Sequence, residues 1–273
     1  PGDAMAVAPG RAGPVSSGDG RTTYRYRLDH ATSTYLATVV IGAFERIDHG
    51  TIHGVALRDY LPADLVDEPP SAFAKTADMI DVLDDVFGPF PFAEYGHVVV
   101  PGFPGAMENP TLSLVGRSAM YDAIVVHEIA HQWFGDSVTP ASWRDIWLNE
   151  GFATYAEWLW LESAVGPGAA AASIRDAHRD MARRDPVPPG DPGPRDLFDT
   201  SVYLRGALTL HALRVEVGDE AFFRIVRTYA DRFAGSNAST DDFVALAEDL
   251  AGRDLGGLFD AWLFGADLPP LPS

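Results

Sequence analysis

The sequence predicts an α+β fold in which a small mixed sheet is followed by a mostly helical half. Residues 21–48 are rich in β-branched and aromatic residues, for example in the run TYLATVVIGAFE at residues 34–45. Such runs are typical of strands. From residue 118 onward the apolar residues recur with helical spacing, and several predicted helices end at Gly or Pro. The chain shows no internal repeat.

The composition indicates a folded, acidic chain. Hydrophobic residues make up 47% of the 273 residues, which is enough to bury a sizeable core. There is no cysteine, so disulfides are excluded and any metal must be bound by His and carboxylate side chains. The net charge of −19 argues against nucleic acid or an anionic membrane as a partner. It favours cationic ligands, such as the amino end of a peptide; alternatively, the acidic surface serves only solubility.

No apolar run approaches the ~18 residues that a membrane-spanning helix needs. We therefore expect a soluble protein, and the sequence leaves open whether it is cytoplasmic or secreted. We also expect a monomer.

Three domain segments are predicted. Residues 1–20 are rich in Gly and Pro and are expected to form a flexible lead-in. Residues 21–60 contain two predicted strands, which are marginal in water by themselves. They are therefore either the remnant of a larger β domain or an addition to the sheet of the next domain. Residues 61–273 are predicted to form the main domain.

The elements of this main domain follow in order. We predict a connection at 61–70, a helix at 72–87, and strands at 97–103 and 106–115. Pro110 pushes the second strand toward a sheet edge. Helices are then predicted at 118–134, 143–164, 169–184, 201–217, 219–233 and 241–251, with an irregular loop at 186–196. Thr240, before two aspartates, is the predicted N-cap of the last helix.

A metal-binding pattern lies within the predicted helix at 118–134. His127 and His131 are four residues apart, about one helical turn, so both imidazoles leave the same face and can bind one Zn²⁺. Glu128 stands where it would reach the metal-bound water. The alternative is a chance match on an amphipathic helix, expected in on the order of 1% of chains of this length.

A third ligand is required, because catalytic zinc takes three protein ligands and keeps one position open. Glu150 follows His131 after eighteen intervening residues, on the next predicted helix. Its neighbours are mostly apolar: Trp147, Leu148, Phe152 and Tyr155. A glutamate on a buried helix needs a partner, whereas an exposed helix glutamate is the simpler alternative. The set of two His and one Glu suits one Zn²⁺ per chain best, without excluding another divalent ion.

Three motifs carry a resemblance to a known family. HEIAHQWFGD at 127–136, WLNEGFA at 147–153 and GAMEN at 105–109 stand in the order and spacing of aminopeptidase N and its relatives. These are the gluzincin zinc metallopeptidases, which also include the leukotriene hydrolase. The resemblance runs from about residue 35 to residue 264. It implies a thermolysin-like zincin catalytic domain, preceded at 21–60 by a remnant of the family's N-terminal β domain.

The resemblance also implies roles for single residues. Glu128 would be the general base and later the proton donor, and Tyr203 would stabilise the transition state. Glu108 would bind the free α-amino group of the substrate. Arg205 stands where the family has a lysine. The substrate-binding residues implied are Gly105, Ala106, Met107, Glu108 and Asn109.

Two further residues are candidates to support the metal ligands. A metal-bound imidazole normally donates its second N–H to an acceptor. Glu157, two turns beyond Glu150, is one candidate, and Asp136 is the other. Asp136 alternatively caps the end of the metal-binding helix.

The expected activity is hydrolysis of the N-terminal peptide bond of peptides by metal-activated water, with free-amine peptides as the substrates. One alternative is an endopeptidase of thermolysin type, which uses the same metal chemistry. The other is a non-catalytic interaction module with the same fold.

Overall fold

The computed structural model describes residues 4–184 and 187–272, and its fold is α+β, as the sequence predicts. The described strands are β1 (Met5–Val7), β2 (Arg11–Ala12), β3 (Ser16–Gly18), β4 (Arg21–Thr23), β5 (Tyr26–Arg27), β6 (Val40–Gly42), β7 (Glu45–Ile52), β8 (Val55–Leu61), β9 (Glu94–Val99), β10 (Ala106–Met107), β11 (Ser113–Val115), β12 (Val138–Pro140) and β13 (Ser236–Ala238). The described helices are α1 (Thr76–Phe87), α2 (Asp122–Ala130), α3 (Trp147–Ala164), α4 (Pro167–Met181), α5 (Thr200–Val217), α6 (Asp219–Arg232), α7 (Thr240–Ala251) and α8 (Gly256–Phe259). None of these helices is long and apolar enough to cross a membrane.

The chain divides into two compact units. The first comprises Pro1–Asp81 and Phe90–Gln132, and the second comprises Val82–Pro89 and Trp133–Ser273. The predicted domain boundaries at residues 20 and 60 stay a prediction.

A five-stranded sheet forms the centre of the first unit. Its strand order is β10-β11-β9-β8-β7, with parallel pairing in the middle and antiparallel pairing at both edges. The middle strands β8 and β9 are almost entirely buried, as parallel strands usually are. Gly96 lets them approach, because a Cβ at this position would overlap the carbonyl oxygen of Arg58. Strand β8 was not predicted from the sequence.

The start of the chain differs from the predicted flexible lead-in. Strand β1 pairs with β6 in an antiparallel ribbon, and Val7 is fully buried against Tyr60 and Val98. The apolar run at residues 5–7 therefore forms a strand with a core-facing side chain, while Gly and Pro mark the turns between short strands. Residues 1–3 lie outside the described part of the chain.

The predicted strand at 106–115 is interrupted. Strands β10 and β11 occupy its two ends, and residues 108–112 form a turn between them. Pro110 has no backbone N–H to contribute to a ladder, and Thr111 has a positive φ of 67°. As predicted from Pro110, this part of the chain lies at a sheet edge, since β10 is the outermost strand. The other predicted strand, at 97–103, is observed three residues earlier, as β9.

Most predicted helices are present, with shifted ends. The predicted helix at 118–134 is shorter, because residues 117–119 form a separate 3₁₀ turn and α2 ends at Ala130. The N-cap of α7 is Ser239, not Thr240: the Ser239 hydroxyl and the Asp242 carboxylate form a reciprocal capping box. Thr240 is instead buried and donates both its N–H and its hydroxyl to Asp145 Oδ1, each at 2.9 Å. The predicted loop at 186–196 is irregular over its described part, from residue 187.

A buried carboxylate connects three strands of the sheet. Asp59 on β8 accepts hydrogen bonds from the main-chain N–H of His97 on β9, and its two oxygens contact His97 Nδ1 and His49 Nε2, both at 2.8 Å. The His97 ring stacks on Phe73, with 4.1 Å between centroids. Burial alone would raise the pKa of Asp59, but the two imidazoles outweigh it and hold this pKa at about 2.

Aromatic packing and a close helix pair organise the second unit. The rings of Phe134, Phe152 and Tyr229 stack, with Phe243 edge-on to Phe152 and Tyr229. Helices α3 and α5 meet where Gly206 faces Gly151, and a Cβ added to Gly206 would lie 3.1 Å from the Gly151 Cα. The two main chains therefore touch directly at this crossing.

Replacing Asp59 by Asn is expected to lower the free energy of unfolding by about 2 kcal/mol at pH 7, because the pKa is held at about 2 instead of 3.8. Since the pKa is lowered in the folded state, this stabilisation is present above about pH 4 and disappears as the pH falls through about 2. Urea unfolding of both proteins between pH 5 and pH 3 measures the difference, which should shrink as the pH approaches 3.

The matched control is Asp48→Asn on strand β7, where the carboxylate is exposed and pairs with Arg46. This change should cost less than about 0.5 kcal/mol. An equal loss in the free energy of unfolding for both substitutions would contradict the assignment of Asp59 as the stabilising carboxylate.

Candidate metal centre

Helix α2 presents two imidazoles side by side. His127 lies in its last turn and His131 is its C-cap residue, with ring centroids 4.7 Å apart. Asp122 stands in the first turn of α2, where a carboxylate is favoured by the helix dipole, and it pairs with Lys75 at 2.6 Å. Both histidines are buried, so the helix face that carries them is withdrawn from solvent.

Glu150 completes a set of three metal-ligand side chains. It lies in the first turn of α3 and is 5% exposed. One ligand atom from each of His127, His131 and Glu150 lies within 4.8 Å of the others, so all three can reach one cation. In the described part of the chain, this is the one group of three or more His, Asp or Glu side chains with such geometry. Two imidazoles and a carboxylate are a donor set of catalytic zinc sites, and here they fit that ion.

Glu128 is also buried, at 5% exposed, and it directly follows the candidate ligand His127 on α2. A carboxylate in such a place is costly unless a cation or a proton compensates its charge. Its position next to the metal ligands is therefore consistent with a carboxylate that exchanges protons with a metal-activated water.

The GAMEN segment forms an edge of the sheet. Ala106 and Met107 make up β10, the outermost strand, and the carbonyl of Gly105 accepts the N–H of Gly116 at 2.7 Å. Glu108 follows at the end of this strand and is 9% exposed. Asn109 is buried and donates to the carbonyl of Leu36 at 2.7 Å. An edge strand of this kind can pair with an extended peptide.

Gln132 was not among the predicted site residues, yet it links the metal-binding helix to this segment. It is fully buried and directly follows His131. Its side-chain amide hydrogen-bonds to the main chain of Glu108 and of Thr111. The signal in the sequence is that Gln132 is the single glutamine of the chain.

The remaining predicted residues have defined places. Tyr203 lies half-buried in the first turn of α5, one turn before Gly206. Glu150 adjoins Gly151, so the close crossing of α3 and α5 lies beside both residues. Asp136 is buried beyond the end of α2, and Glu157 is half-buried on α3. The roles of Tyr203, Asp136 and Glu157 stay predictions.

Arg205 has a structural task. Its side chain is fully buried and donates hydrogen bonds to main-chain carbonyls that follow α8. These carbonyls belong to Ala261, Trp262, Gly265 and Asp267, at 2.7–3.1 Å. The positive charge that the sequence places two residues after Tyr203 is therefore used to hold this segment against α5.

The chain is similar to a known protein family and to several of its members. The profile of the Peptidase family M1 domain matches residues 71–262. The chain is 33% identical to aminopeptidase N of Streptomyces lividans, over 85% of this chain and 31% of that protein. It is 30% identical to aminopeptidase M1-B of Oryza sativa subsp. japonica, over 89% of this chain and 30% of that protein. The chain thus spans about a third of the length of these relatives.

Solved structures give the same fold. The M1 zinc metallopeptidase from Deinococcus radiodurans superposes with a TM-score of 0.94 and 35% identity, over 100% of this chain and 64% of that one. A variant of that protein, bound to a Tyr-Ser-Ala substrate, superposes with a TM-score of 0.94 at 34% identity.

Replacing Gly206 by Ala is expected to weaken metal binding and to lower the free energy of unfolding by about 1–3 kcal/mol. The added methyl group would stand 3.1 Å from Gly151 Cα, so α3 must shift, and Glu150 with it. Chelator competition for the bound metal and urea unfolding are the two measurements.

Gly168→Ala is the matched control, because this glycine lies in helix α4 with open space around its Cβ position. It should leave metal affinity unchanged and stability unchanged or slightly higher. Metal affinity in Gly206→Ala equal to that of the control would show that the glycine contact does not position Glu150.

Proposed function

This chain belongs to peptidase family M1, and we propose that it is a zinc-dependent aminopeptidase that hydrolyses the N-terminal peptide bond of peptides. The observation that carries the proposal is the convergence of His127, His131 and Glu150, with Glu128 buried beside them. The names of the relatives, which are aminopeptidases and zinc metallopeptidases, support it.

The three ligand side chains would hold one zinc ion. Bound zinc would supply a polarising charge that lowers the pKa of coordinated water from ~15.7 to ~7. Glu128 would then accept a proton from this water and later pass it to the amine that leaves. These two transfers use the same buried carboxylate, first as a base and then as an acid.

Tyr203 is proposed to donate a hydrogen bond from its phenolic hydroxyl. The acceptor is the oxygen that gains negative charge when the scissile carbonyl is attacked. A donor of this kind typically contributes about 10²–10³ in rate. Its place in the first turn of α5, beside the helix that carries Glu150, supports this role.

Glu108 is proposed to bind the protonated amino terminus of the substrate. Its carboxylate is almost withdrawn from water, so an ammonium group compensates its charge, whereas an internal peptide bond would leave it unpaired. The peptide itself would extend the sheet along β10, with Gly105, Ala106, Met107 and Asn109 lining it. The Deinococcus relative that binds Tyr-Ser-Ala supports a short peptide as substrate. That the protein acts as a monomer stays a prediction.

Alanyl and leucyl fluorogenic substrates should be cleaved, while their N-acetylated forms should react at least about a hundredfold more slowly, because acetylation removes the charge that pairs with Glu108. Zinc measured in the same sample should reach one ion per chain. Equal cleavage of both substrate forms would instead support an endopeptidase. Bound zinc without any cleavage would support a non-catalytic module.

Glu128→Gln is expected to keep zinc at one ion per chain and to lower kcat by about 10²–10⁴-fold, since the amide cannot accept the proton. Glu150→Gln is expected to lose zinc, because a neutral amide is a weaker ligand than a carboxylate. Metal analysis and kcat on the leucyl substrate separate the two effects.

Glu162→Gln is the control for both variants. Glu162 lies near the end of α3 and pairs with Arg214 at 2.9 Å. The Glu162→Gln variant should keep one zinc ion per chain and the wild-type kcat. Loss of zinc in Glu128→Gln would contradict its assignment as the proton carrier.

A further inference from the structure

We propose that Gln132 is a positioning residue that holds Glu108 at a fixed place relative to the metal-binding helix α2, and that it thereby sets the preference for a free amino terminus. The proposal rests on the proposed function, because it concerns how the same site selects its substrate. Gln132 is assigned no contact with substrate or metal; it acts through Glu108.

The contacts of Gln132 show how it bridges two segments. Its Nε2 donates to the carbonyl of Glu108 at 3.1 Å, and its Oε1 accepts the main-chain N–H of Thr111 at 2.7 Å. A longer contact of 3.5 Å joins Nε2 to the carbonyl of Glu128, one turn back on α2. One buried amide therefore connects the end of α2 to both sides of the turn that begins at Glu108.

This turn needs support from outside its own strands. It lies between β10 and β11, where ladder hydrogen bonds are interrupted, and it contains Pro110. Thr111 has a φ of 67°, a conformation that is strongly disfavoured for a β-branched side chain. Such strain persists only where the surroundings hold it in place. The N–H of this strained residue is the group that Gln132 binds, at 2.7 Å.

Other contacts hold the turn from its remaining sides. The Thr111 hydroxyl accepts the N–H of Gly10 at 2.8 Å, and Asn109 donates to the carbonyl of Leu36 at 2.7 Å. Both of these partners come from the first 40 residues of the chain. Gln132 is the contact that comes from the segment carrying His127, Glu128 and His131, so it relates Glu108 to the reacting centre.

The geometry demands an amide at this position. One end of the side chain must accept a hydrogen bond from an N–H, and the other must donate to carbonyl oxygens. Glu at position 132 would keep the acceptor but turn negative oxygen toward the Glu108 and Glu128 carbonyls. Met at position 132 has similar length and neither group. A shift of about 1 Å in Glu108 is enough to lose much of its interaction with an ammonium group.

The experiment compares wild-type protein with Gln132→Met and Gln132→Glu, each with its bound zinc measured. The readout is the ratio of kcat/KM for leucyl substrate to kcat/KM for N-acetyl-leucyl substrate. Both variants should lower this ratio about tenfold, the effect of roughly one lost hydrogen bond, through a higher KM for the free-amine substrate. A purely structural loss would lower kcat/KM for both substrates by the same factor and would leave the ratio unchanged.

Ser113→Ala is the matched control. It removes a buried hydrogen bond of the same sheet, between Ser113 and Tyr95 at 2.7 Å, without contacting Gln132. This variant should be less stable and keep the wild-type ratio. Should Gln132→Met fail to fold, Gln132→Met combined with Thr111→Gly takes its place, because glycine adopts the positive φ without strain. It is then compared with Thr111→Gly alone, because that change also removes the hydroxyl that accepts the N–H of Gly10.

A ratio within twofold of wild type in a zinc-loaded Gln132 variant overturns the proposal and leaves the proposed function intact. A wild-type protein that cleaves the two substrates equally well overturns both the role of Gln132 and the proposed aminopeptidase function.

Discussion

Buried carboxylates are the constraint on which this structure depends. A carboxylate withdrawn from water needs a positive partner or several hydrogen bonds, and Asp59, Asp145 and Glu150 meet this need in different ways. Asp59 contacts two imidazoles and a main-chain N–H. Asp145 accepts from Thr240 and Ser142. Glu150 lies within reach of His127 and His131, where a cation shared by all three would compensate the charge.

The same constraint separates the residues that react from the residues that hold them. Glu108 and Glu128 are both buried, and in the proposed function one binds an ammonium group and the other carries a proton. Gln132 and the pair Gly151 and Gly206 carry no charge and make contacts that fix distances. A neutral hydrogen-bonding amide is suited to this, since it orients a neighbouring carbonyl without adding a net charge to the site.

Features with local patterns could be predicted from the sequence. The spacing of His127 and His131 and the burial implied by the apolar neighbours of Glu150 pointed to the three candidate ligand side chains that the structure brings together. Helical spacing located most helices, and the resemblance to aminopeptidase N and its relatives is confirmed. The roles proposed for Tyr203 and for the residues of the GAMEN segment rest on that resemblance.

Features that depend on distant contacts were missed for a common physical reason. The hydrogen bond between Gln132 and Thr111 spans 21 residues, and β1 pairs with a strand more than thirty residues away. The spacing of apolar residues in a short window therefore predicts neither contact. Ser239 and Thr240 are both good cap residues, and the choice between them depends on Asp145, 95 residues earlier than Thr240. Strand β8 contains Arg58 and Asp59, which interrupt its apolar residues, and both are buried where β8 pairs with its parallel neighbour β9.

The hydrogen bonds of Arg205 limit how early the second unit can fold while the protein is being synthesised. Arg205 is fully buried, and its partners lie 56 to 62 residues later in the chain. Until the ribosome has made those residues, burying this guanidinium would leave its Nε and Nη2 donors unsatisfied, which is costly. At about 5–20 residues per second, this adds seconds during which α5 exists without its final packing. The second unit therefore reaches its native state only after residue 267 has emerged, however early its helices form.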